Sequence, residues 1–341
     1  MAPLWTSVPP ATYGGTELVI HCLTEELVLR GHDVTLFASG DSKTTAKLQS
    51  ITEHSIIQAM TRGAAYSYEH YVNASLADAI LTSGSFDIIH CHLGFAQIPL
   101  AALATTPVLY SPHVIPSVDD VWALRHYPGL RISAISQHQA NAMSLAGSKN
   151  IPVIHHGIDF TRYKFSQEKG KYLTFLGRMG PQKSPLHAIR IAAAVGMPIT
   201  LAGKPQNAQE QEYFSSEIMP LIDGMNVNYV GLVNHEQKNE LLRNAAALLF
   251  PIQGEEAFGL VMIEAMACGT PAVATDCASV REIIDVGTTG FYAKSTDHLL
   301  ALIPQAIGLD RNTVRDHAMR RFSHQRMVDD YLEAYNSLLS V

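Results

Sequence analysis

The chain lacks most of the features that mark secreted, membrane or nucleic-acid-binding proteins. Its 341 residues include only four cysteines, Cys22, Cys91, Cys268 and Cys277, scattered through apolar patterns. In a chain of this size they read as reduced and buried, not as a disulfide framework, which points to the cytoplasm. No run of about 18 apolar residues exists, so no membrane span is expected. The opening MAPLWTSVPP has neither a charged n-region nor an apolar h-region, so it does not read as a signal peptide. Charged residues make up only 16% and sum to −7. That balance argues against a nucleic-acid partner and gives no general attraction to anionic membranes, leaving at most a weak peripheral contact. There is no repeat of roughly 20–50 residues and no low-complexity tract, which excludes solenoids and linker-like tails. What remains is the composition of an ordinary globular enzyme, 47% hydrophobic, at a length that favours two domains.

Short apolar runs alternate with helical patterns along the whole chain. HDVTLFAS (32–39), FDIIHCH (86–92), PVLYSPH (107–113), RISAIS (131–136) and PVIHHGID (152–159) read as strands of a first half. Residues 43–83 read as helical. A polar linker, YKFSQEKGK (163–171), separates them from a second set: YLTFLG (172–177), PITLAG (198–203), VNYVGL (227–232), ALLFPI (247–252) and PAVAT (271–275). Strands that are apolar throughout and alternate with helices indicate parallel sheets covered on both faces, so each half is a doubly wound Rossmann-like unit. An early glycine turn, Tyr13-Gly14-Gly15-Thr16-Glu17, opens a helix that Thr16 is expected to cap and Gly31 to end. A strand should precede such a turn, and only residues 1–5 are available for it. The chain closes on a helix from near Ser323, with Met327, Tyr331, Ala334, Tyr335 and Leu338 on one face.

In doubly wound units, ligands bind at the carboxyl ends of the strands. The loops to inspect therefore follow the strands, and the stretch at 251–276, PIQGEEAFGLVMIEAMACGTPAVATD, stands out among them. With a helix starting near Phe258, the amides of Gly259, Leu260 and Val261 are free for a phosphate. A carboxylate beside that phosphate repels it but accepts hydrogen bonds from hydroxyls, so Glu256 and Glu264 point to polyols on both sides, a ribose and a sugar. Glu256 also reads as an ordinary helix-start acid. Glu264 lies among Val261, Met262, Ile263, Ala265 and Met266, where an unpaired carboxylate is costly. Arg178 and Lys183, just past the YLTFLG strand, suit a diphosphate or form a solvated basic loop. His90, Cys91 and His92 invite a metal reading, but in a strand His90 and His92 share a face and Cys91 points away, so the three cannot close on one ion. Trp122, Arg125, His126 and Tyr127 line an acceptor groove or simply cover the core.

Gly177-Arg178 with Lys183, then Glu256-x7-Glu264 running into Ala265-Met266-Ala267-x-Gly269-Thr270-Pro271, resembles the retaining GT-B glycosyltransferases of family 4. Asp87-Ile88-Ile89-His90-x-His92, Ser111-Pro112-His113, His156-Gly157-Ile158-Asp159 and Gly287-Thr288-Thr289-Gly290-Phe291 agree with it, so the resemblance covers nearly the whole chain. It implies two Rossmann-like domains facing across a cleft. Residues 1–165 with the returning helix 324–341 would bind the acceptor, and 166–323 would bind the nucleotide-sugar donor. Arg178 and Lys183 would neutralise the departing diphosphate. Glu264 would hold the ribose, Glu256 the sugar, with the 258–261 amides beside it. His113 and Gly15 would approach from the first domain, and the base would rest near Val233. Two positions depart from the family pattern: Ser184 stands where a glycine is usual, and His156 where an asparagine is.

The activity implied is transfer of a hexose, with retention, from a nucleotide diphosphate sugar to an acceptor hydroxyl, in the building of a polysaccharide, glycolipid or glycoside. Family frequency favours UDP-glucose. No cofactor is expected. No Asp-x-Asp occurs, so Arg178 and Lys183 would take the role of a metal clamp. Three rivals remain. A sugar-nucleotide 2-epimerase would share the architecture but need no acceptor. An oxidoreductase is disfavoured because Gly14-Gly15 lacks the third glycine of G-x-G-x-x-G. A non-catalytic sensor would keep the same carboxylates and cations.

Overall fold

A strand that is apolar on both faces must be covered on both sides, and each half of the chain meets that need separately. The computed structural model describes residues 1–12, 14–65, 67–147 and 150–340. Tyr13 of the expected glycine loop lies outside the described residues. The chain divides into two units, Met1–Ile158 with the segment from His324 onward, and Asp159–Ser323. The expected division at 165/166 moves back to 158/159. Arg315 donates to the Phe160 and Tyr163 carbonyls at 2.9 and 3.0 Å, and the Tyr163 hydroxyl donates to Glu264 at 2.8 Å, which ties the start of the expected linker to the second unit.

In the first unit, β1 (Thr35–Phe37) pairs in parallel with β2 (Lys47–Gln49). A second parallel ribbon holds β3 (Ile89–Cys91), β4 (Val108–Tyr110) and β5 (Arg131–Ile132). The first residues of the chain join the two. Ala2 N donates to Phe37 O at 2.9 Å, Met1 N to His90 O at 2.8 Å, and His92 N to Met1 O at 3.1 Å. Residues 1–2 thus stand in the place of the strand expected before the glycine turn. The order across the unit is β2, β1, residues 1–2, β3, β4, β5, and then Val153, which bridges Ala134. Chain order reverses between residues 1–2 and β3, so the carboxyl end of β3, where His92 lies, is the switch point at which such a sheet opens a crevice.

Three local expectations change. The segment 43–83 is not helical throughout: it holds β2 before the helices Ile56–Thr61 and Tyr68–Leu81. Ala46 and Leu48 pack on the core around β1, so this stretch alternates with the period of a strand. The first helix starts at Gly15, with Gly14 at its N-cap and no side-chain cap, so Thr16 lies inside the first turn. The strands expected over 131–136 and 152–159 shrink to β5 and the single bridge at Val153.

The second unit is one parallel sheet of β6 (Tyr172–Leu176), β7 (Ile199–Ala202), β8 (Val227–Tyr229), β9 (Ala245–Phe250), β10 (Ala272–Thr275) and β11 (Gly290–Ala293), in the order β11-β10-β9-β6-β7-β8. Every residue of β9 is buried, as a central strand requires. β11 has no strand signal of its own, because two glycines and two threonines lead into Phe291. The switch point lies between β6 and β9, so the loops 177–184 and 251–259 leave the sheet side by side.

The closing helix, His324–Leu339, belongs to the first unit and buries Met327, Val328, Tyr331 and Tyr335 on the expected face. Arg326 donates to His155 O at 2.7 Å, and the Tyr335 hydroxyl meets His90 Nδ1 at 2.6 Å. Among the described residues no helix is long and apolar enough to cross a membrane. All four cysteines are free. Tyr335→Phe removes a buried hydrogen bond and leaves His90 Nδ1 unpaired, so it should cost about 1–2 kcal/mol. Urea denaturation of the variant would show it, and an unchanged midpoint would contradict this role for the contact.

Candidate functional site

In the second unit, the switch point brings opposite charges together. Lys183 forms an ion pair with Glu256, linking the loop after β6 to the loop after β9. The Gln182 side chain donates to Glu255 O at 3.1 Å, and Gln253 N donates to Gln182 O at 2.9 Å, so the two loops are also laced by amides. Arg178 does not join this pair. Its guanidinium donates to Glu210 at 3.1 Å and to Gln182 Oε1 at 3.2 Å. The Glu210 carboxylate in turn accepts from Gln206 N at 2.8 Å, and the Glu210 backbone amide donates to Asn207 Oδ1 at 2.8 Å. Arg178 and Lys183 are therefore not a solvated basic loop: each cation has a carboxylate partner.

The phosphate-type helix start is present but begins later than expected. The helix is Leu260–Ala267, with Gly259 at its N-cap and a φ of 93°. A side chain there would be strained, and its Cβ would lie 2.6 Å from Met262 Cε, so glycine is required. Met262 N already bonds Gly259 O, while the Gly259, Leu260 and Val261 amides have no partner among the described residues. Phe258 falls outside the helix. Its ring is buried against Phe322, and its carbonyl accepts from Ser279 at 2.8 Å. Lys183 lies 5.7 Å from the centroid of the Phe250 ring, and a Cβ at Gly259 would lie 3.4 Å from the same ring. Cation and free amides thus flank the carboxyl end of β9.

Glu264 is 6% exposed, and its cost is met by two partners. Oε1 accepts from the Tyr163 hydroxyl and pairs with Lys238. Oε2 has no protein partner among the described residues and is not sealed from solvent, so it is the oxygen left for a ligand. The Glu264 charge also contributes, after burial, to pushing the Cys268 thiol up to about 12, which makes that cysteine inert. Val233 is half-buried in the loop before Asn234, which caps the helix His235–Arg243 that carries Lys238. Tyr163, Lys238 and Glu210 were not legible as site residues. Tyr163 sits in a polar linker pattern, Lys238 in a helix that reads as solvated, and Glu210 as a helix-start acid.

In the first unit, Gly15 is the first residue of the helix Gly15–Leu29. His113 follows β4, and both of its ring nitrogens are engaged: Nε2 meets His92 Nδ1 at 2.9 Å, and Nδ1 meets His156 Nε2 at 3.2 Å. The His90 ring lies tilted against that of His92 with centroids 3.9 Å apart, while Cys91 is buried in the core on the other face. Burial pushes His113 down to about 3. Burial, with repulsion from neighbouring cationic forms, holds His90, His92 and His156 well below the ordinary histidine value.

Two doubly wound Rossmann-like units, with paired cations and carboxylates and a free-amide helix start at a switch point, define a GT-B glycosyltransferase. Residues 13–162 match the family described as Glycosyltransferase Family 4, and residues 159–315 match Glycosyl transferases group 1. The chain belongs to this family of glycosyltransferases. It is 27% identical over 300 residues to a phosphatidyl-myo-inositol mannosyltransferase of Propionibacterium freudenreichii subsp. shermanii, covering 81% of this chain and 76% of the relative. Among solved structures it is similar to AviGT4, a glycosyltransferase involved in avilamycin A biosynthesis, with a TM-score of 0.73, 25% identity and coverage of 98% and 93% of the two chains. It is also similar to Anabaena Alr3699/HepE in complex with UDP and glucose, with a TM-score of 0.74, 19% identity and coverage of 96% and 97%.

The histidine cluster has a consequence for acid stability. Folded, these four rings stay proton-free, while in the unfolded chain each binds a proton near pH 6.5. The unfolded state then holds more protons, so stability should fall as the pH drops below about 6.5, by up to ~1.4 kcal/mol per pH unit per ring. Urea denaturation across that range measures the slope, and a flat profile would contradict the neutral cluster.

Proposed function

We propose that this glycosyltransferase moves a hexose, with retention, from a nucleotide diphosphate sugar to an acceptor hydroxyl, and that UDP-glucose is the first donor to test. The observation that carries the reading is the junction of Lys183, Glu256 and the free amides of Gly259, Leu260 and Val261 at one switch point. A diphosphate has the charge to replace Glu256 as the partner of Lys183 and to take the amide hydrogen bonds. That exchange frees the Glu256 carboxylate to accept from hydroxyls of the sugar. Glu264 Oε2 is poised for a ribose hydroxyl, with Lys238 and Tyr163 holding Oε1. The base would lie on the backbone near Val233, and Gly15 would let the start of its helix approach the ligand.

The reaction asks most of the leaving group. As the glycosidic bond breaks, its electron pair moves to the diphosphate oxygen and the ring gains oxocarbenium character. Arg178 and Lys183 stabilise the charge that develops there, in the role a metal plays elsewhere, so the reading is metal-independent and cofactor-free. The departing phosphate takes the acceptor's proton as the new bond forms on the same face. The setting we favour is the cytoplasm, and the product a polysaccharide, glycolipid or glycoside.

Removing one preorganised cationic contact at a leaving group costs about 3–4 kcal/mol, or ~10²–10³ in rate. Arg178→Ala should therefore lose that much turnover in a donor-consumption assay across nucleotide sugars, measured at a temperature where the variant is fully folded because Glu210 loses its cation. Near-full activity of the variant would overturn the assignment. Release of an epimerised nucleotide sugar from donor alone would instead favour a 2-epimerase.

A further inference from the structure

Glu210 is an acid in a costly place. It is 8% exposed and lies against the loop after β6, beside the cation that a diphosphate would need. A carboxylate there repels an anionic ligand and weakens the pull of Arg178. Three contacts nevertheless hold it. Arg178 Nη1 donates to Oε1 at 3.1 Å, and Gln206 N, just past β7, donates to Oε2 at 2.8 Å. The third contact is steric. A Cβ at Gly180 would lie 2.7 Å from Glu210 Oε1 and 2.8 Å from its Cγ and Cδ, so the acid packs directly on the Gly180 backbone. Asn207 caps the helix Ala208–Tyr213, and an acid at Glu210's place in the first turn usually reaches back to the cap residue's own amide. Glu210 reaches one residue further, to Gln206. Gly180 passes the support on. Its carbonyl accepts from Lys183 N and Ser184 N, both at 3.1 Å, and Ser184 Oγ donates to Pro181 O at 2.8 Å. The turn that presents Lys183 thus rests on Gly180, and Gly180 on Glu210.

We propose that Glu210 is a positioning residue for the departing diphosphate: it fixes the Arg178 guanidinium and the turn 180–184, and it keeps Arg178 while the donor is bound. This rests on the glycosyl-transfer reading for the identity of the ligand. A guanidinium carries five N–H donors in one plane. One at Nη1 is engaged by Glu210 and one at Nη2 by Gln182, so the others can meet phosphate oxygens with Glu210 still in place. Lys183 differs, because an ammonium is a point charge whose partner, Glu256, stands on the facing loop. Repulsion between Glu210 and the diphosphate weakens donor binding. A fixed guanidinium gives its return later, as negative charge gathers on the leaving oxygen and a donor already aimed there needs no reorganisation. Glu210 therefore acts on turnover through Arg178 and touches no substrate itself.

The test compares the full-length protein with Glu210→Gln, which keeps the shape of the side chain and removes its charge. Each variant is assayed at a temperature where it is fully folded. Glu210→Gln should lower turnover about 10–100-fold while its affinity for UDP stays within about threefold, because Arg178, Lys183 and the helix-start amides keep their charge. Full turnover would refute the positioning role. A UDP affinity that falls as far as turnover would show Glu210 shaping the pocket at large, and a tighter UDP complex with turnover kept would show it as a mere competitor; either result overturns the proposal. Gly180→Ala, whose methyl meets Glu210, should also lower turnover, and should add no loss in a Glu210→Ala background. An equal loss in both backgrounds would refute the route through Gly180.

A ligand-free measurement separates this proposal from the reading it rests on. In protein labelled with ¹³C and ¹⁵N in arginine, a held Arg178 should rotate slowly about its Nε–Cζ bond and give separate Nη1 and Nη2 signals, assigned by their loss in Arg178→Lys. The signals should stay separate when UDP is added and merge in Glu210→Gln. Merged signals in the unaltered protein, or merging on addition of UDP, would overturn the hold on Arg178. If the unaltered protein consumes no nucleotide sugar, the glycosyl-transfer reading fails, and the ligand-free spectra still decide whether Glu210 fixes Arg178.

Discussion

The parallel pairing of β6 with β9 decides what the second unit can do. The two strands are distant in sequence, and only their adjacency places the loop bearing Arg178 and Lys183 beside the loop bearing Glu256. Strand order reverses there, so no crossover helix covers that point, and the loops, the helix start at Gly259 and the open oxygen of Glu264 all lie on strand ends. Disturbing that pairing would leave the charged residues in place along the chain but apart in space.

The charges at this site are held in readiness by one another. Lys183 rests on Glu256, Arg178 on Glu210 and Lys238 on Glu264. A partly buried pair is a poor source of net stability, because desolvation consumes much of the Coulombic gain, but either charge alone would cost more. The first pair fits exchangeable partners: an anionic ligand can take the cation without leaving the carboxylate stranded, provided hydroxyls arrive with it. A nucleotide diphosphate sugar brings both. In the first unit the equivalent economy is neutral, with histidine rings satisfying one another in place of ions.

How much of this was legible depended on whether a residue's role is local. Glu264 could be singled out because a carboxylate inside an apolar helix is costly wherever the helix lies. Gly259 and the helix start could be read from punctuation, within two residues. The doubly wound architecture followed from apolar strands alternating with helices, and the closing helix from its apolar face. Glu210, Lys238 and Tyr163 could not be found, because their partners come from strand order and not from spacing: each looks like a solvated or linker residue until β6 is seen next to β7 and β9. The same holds for His113. Its position after a strand marked it as a site residue, but that its two nitrogens are taken by His92 and His156 depends on three strand ends converging. Residues 43–83 were misread because β2 is only three residues long and pairs with a strand outside the window.

The central claim is that an incoming diphosphate replaces Glu256 as the partner of Lys183. Calorimetric titration of UDP into the unaltered protein and into Glu256→Gln tests it most directly. If the carboxylate competes with the diphosphate for the cation, the variant binds UDP at least as tightly as the unaltered protein. A loss of UDP affinity of about tenfold or more, equal to roughly 1.4 kcal/mol, would show that Glu256 supports the diphosphate instead of yielding to it.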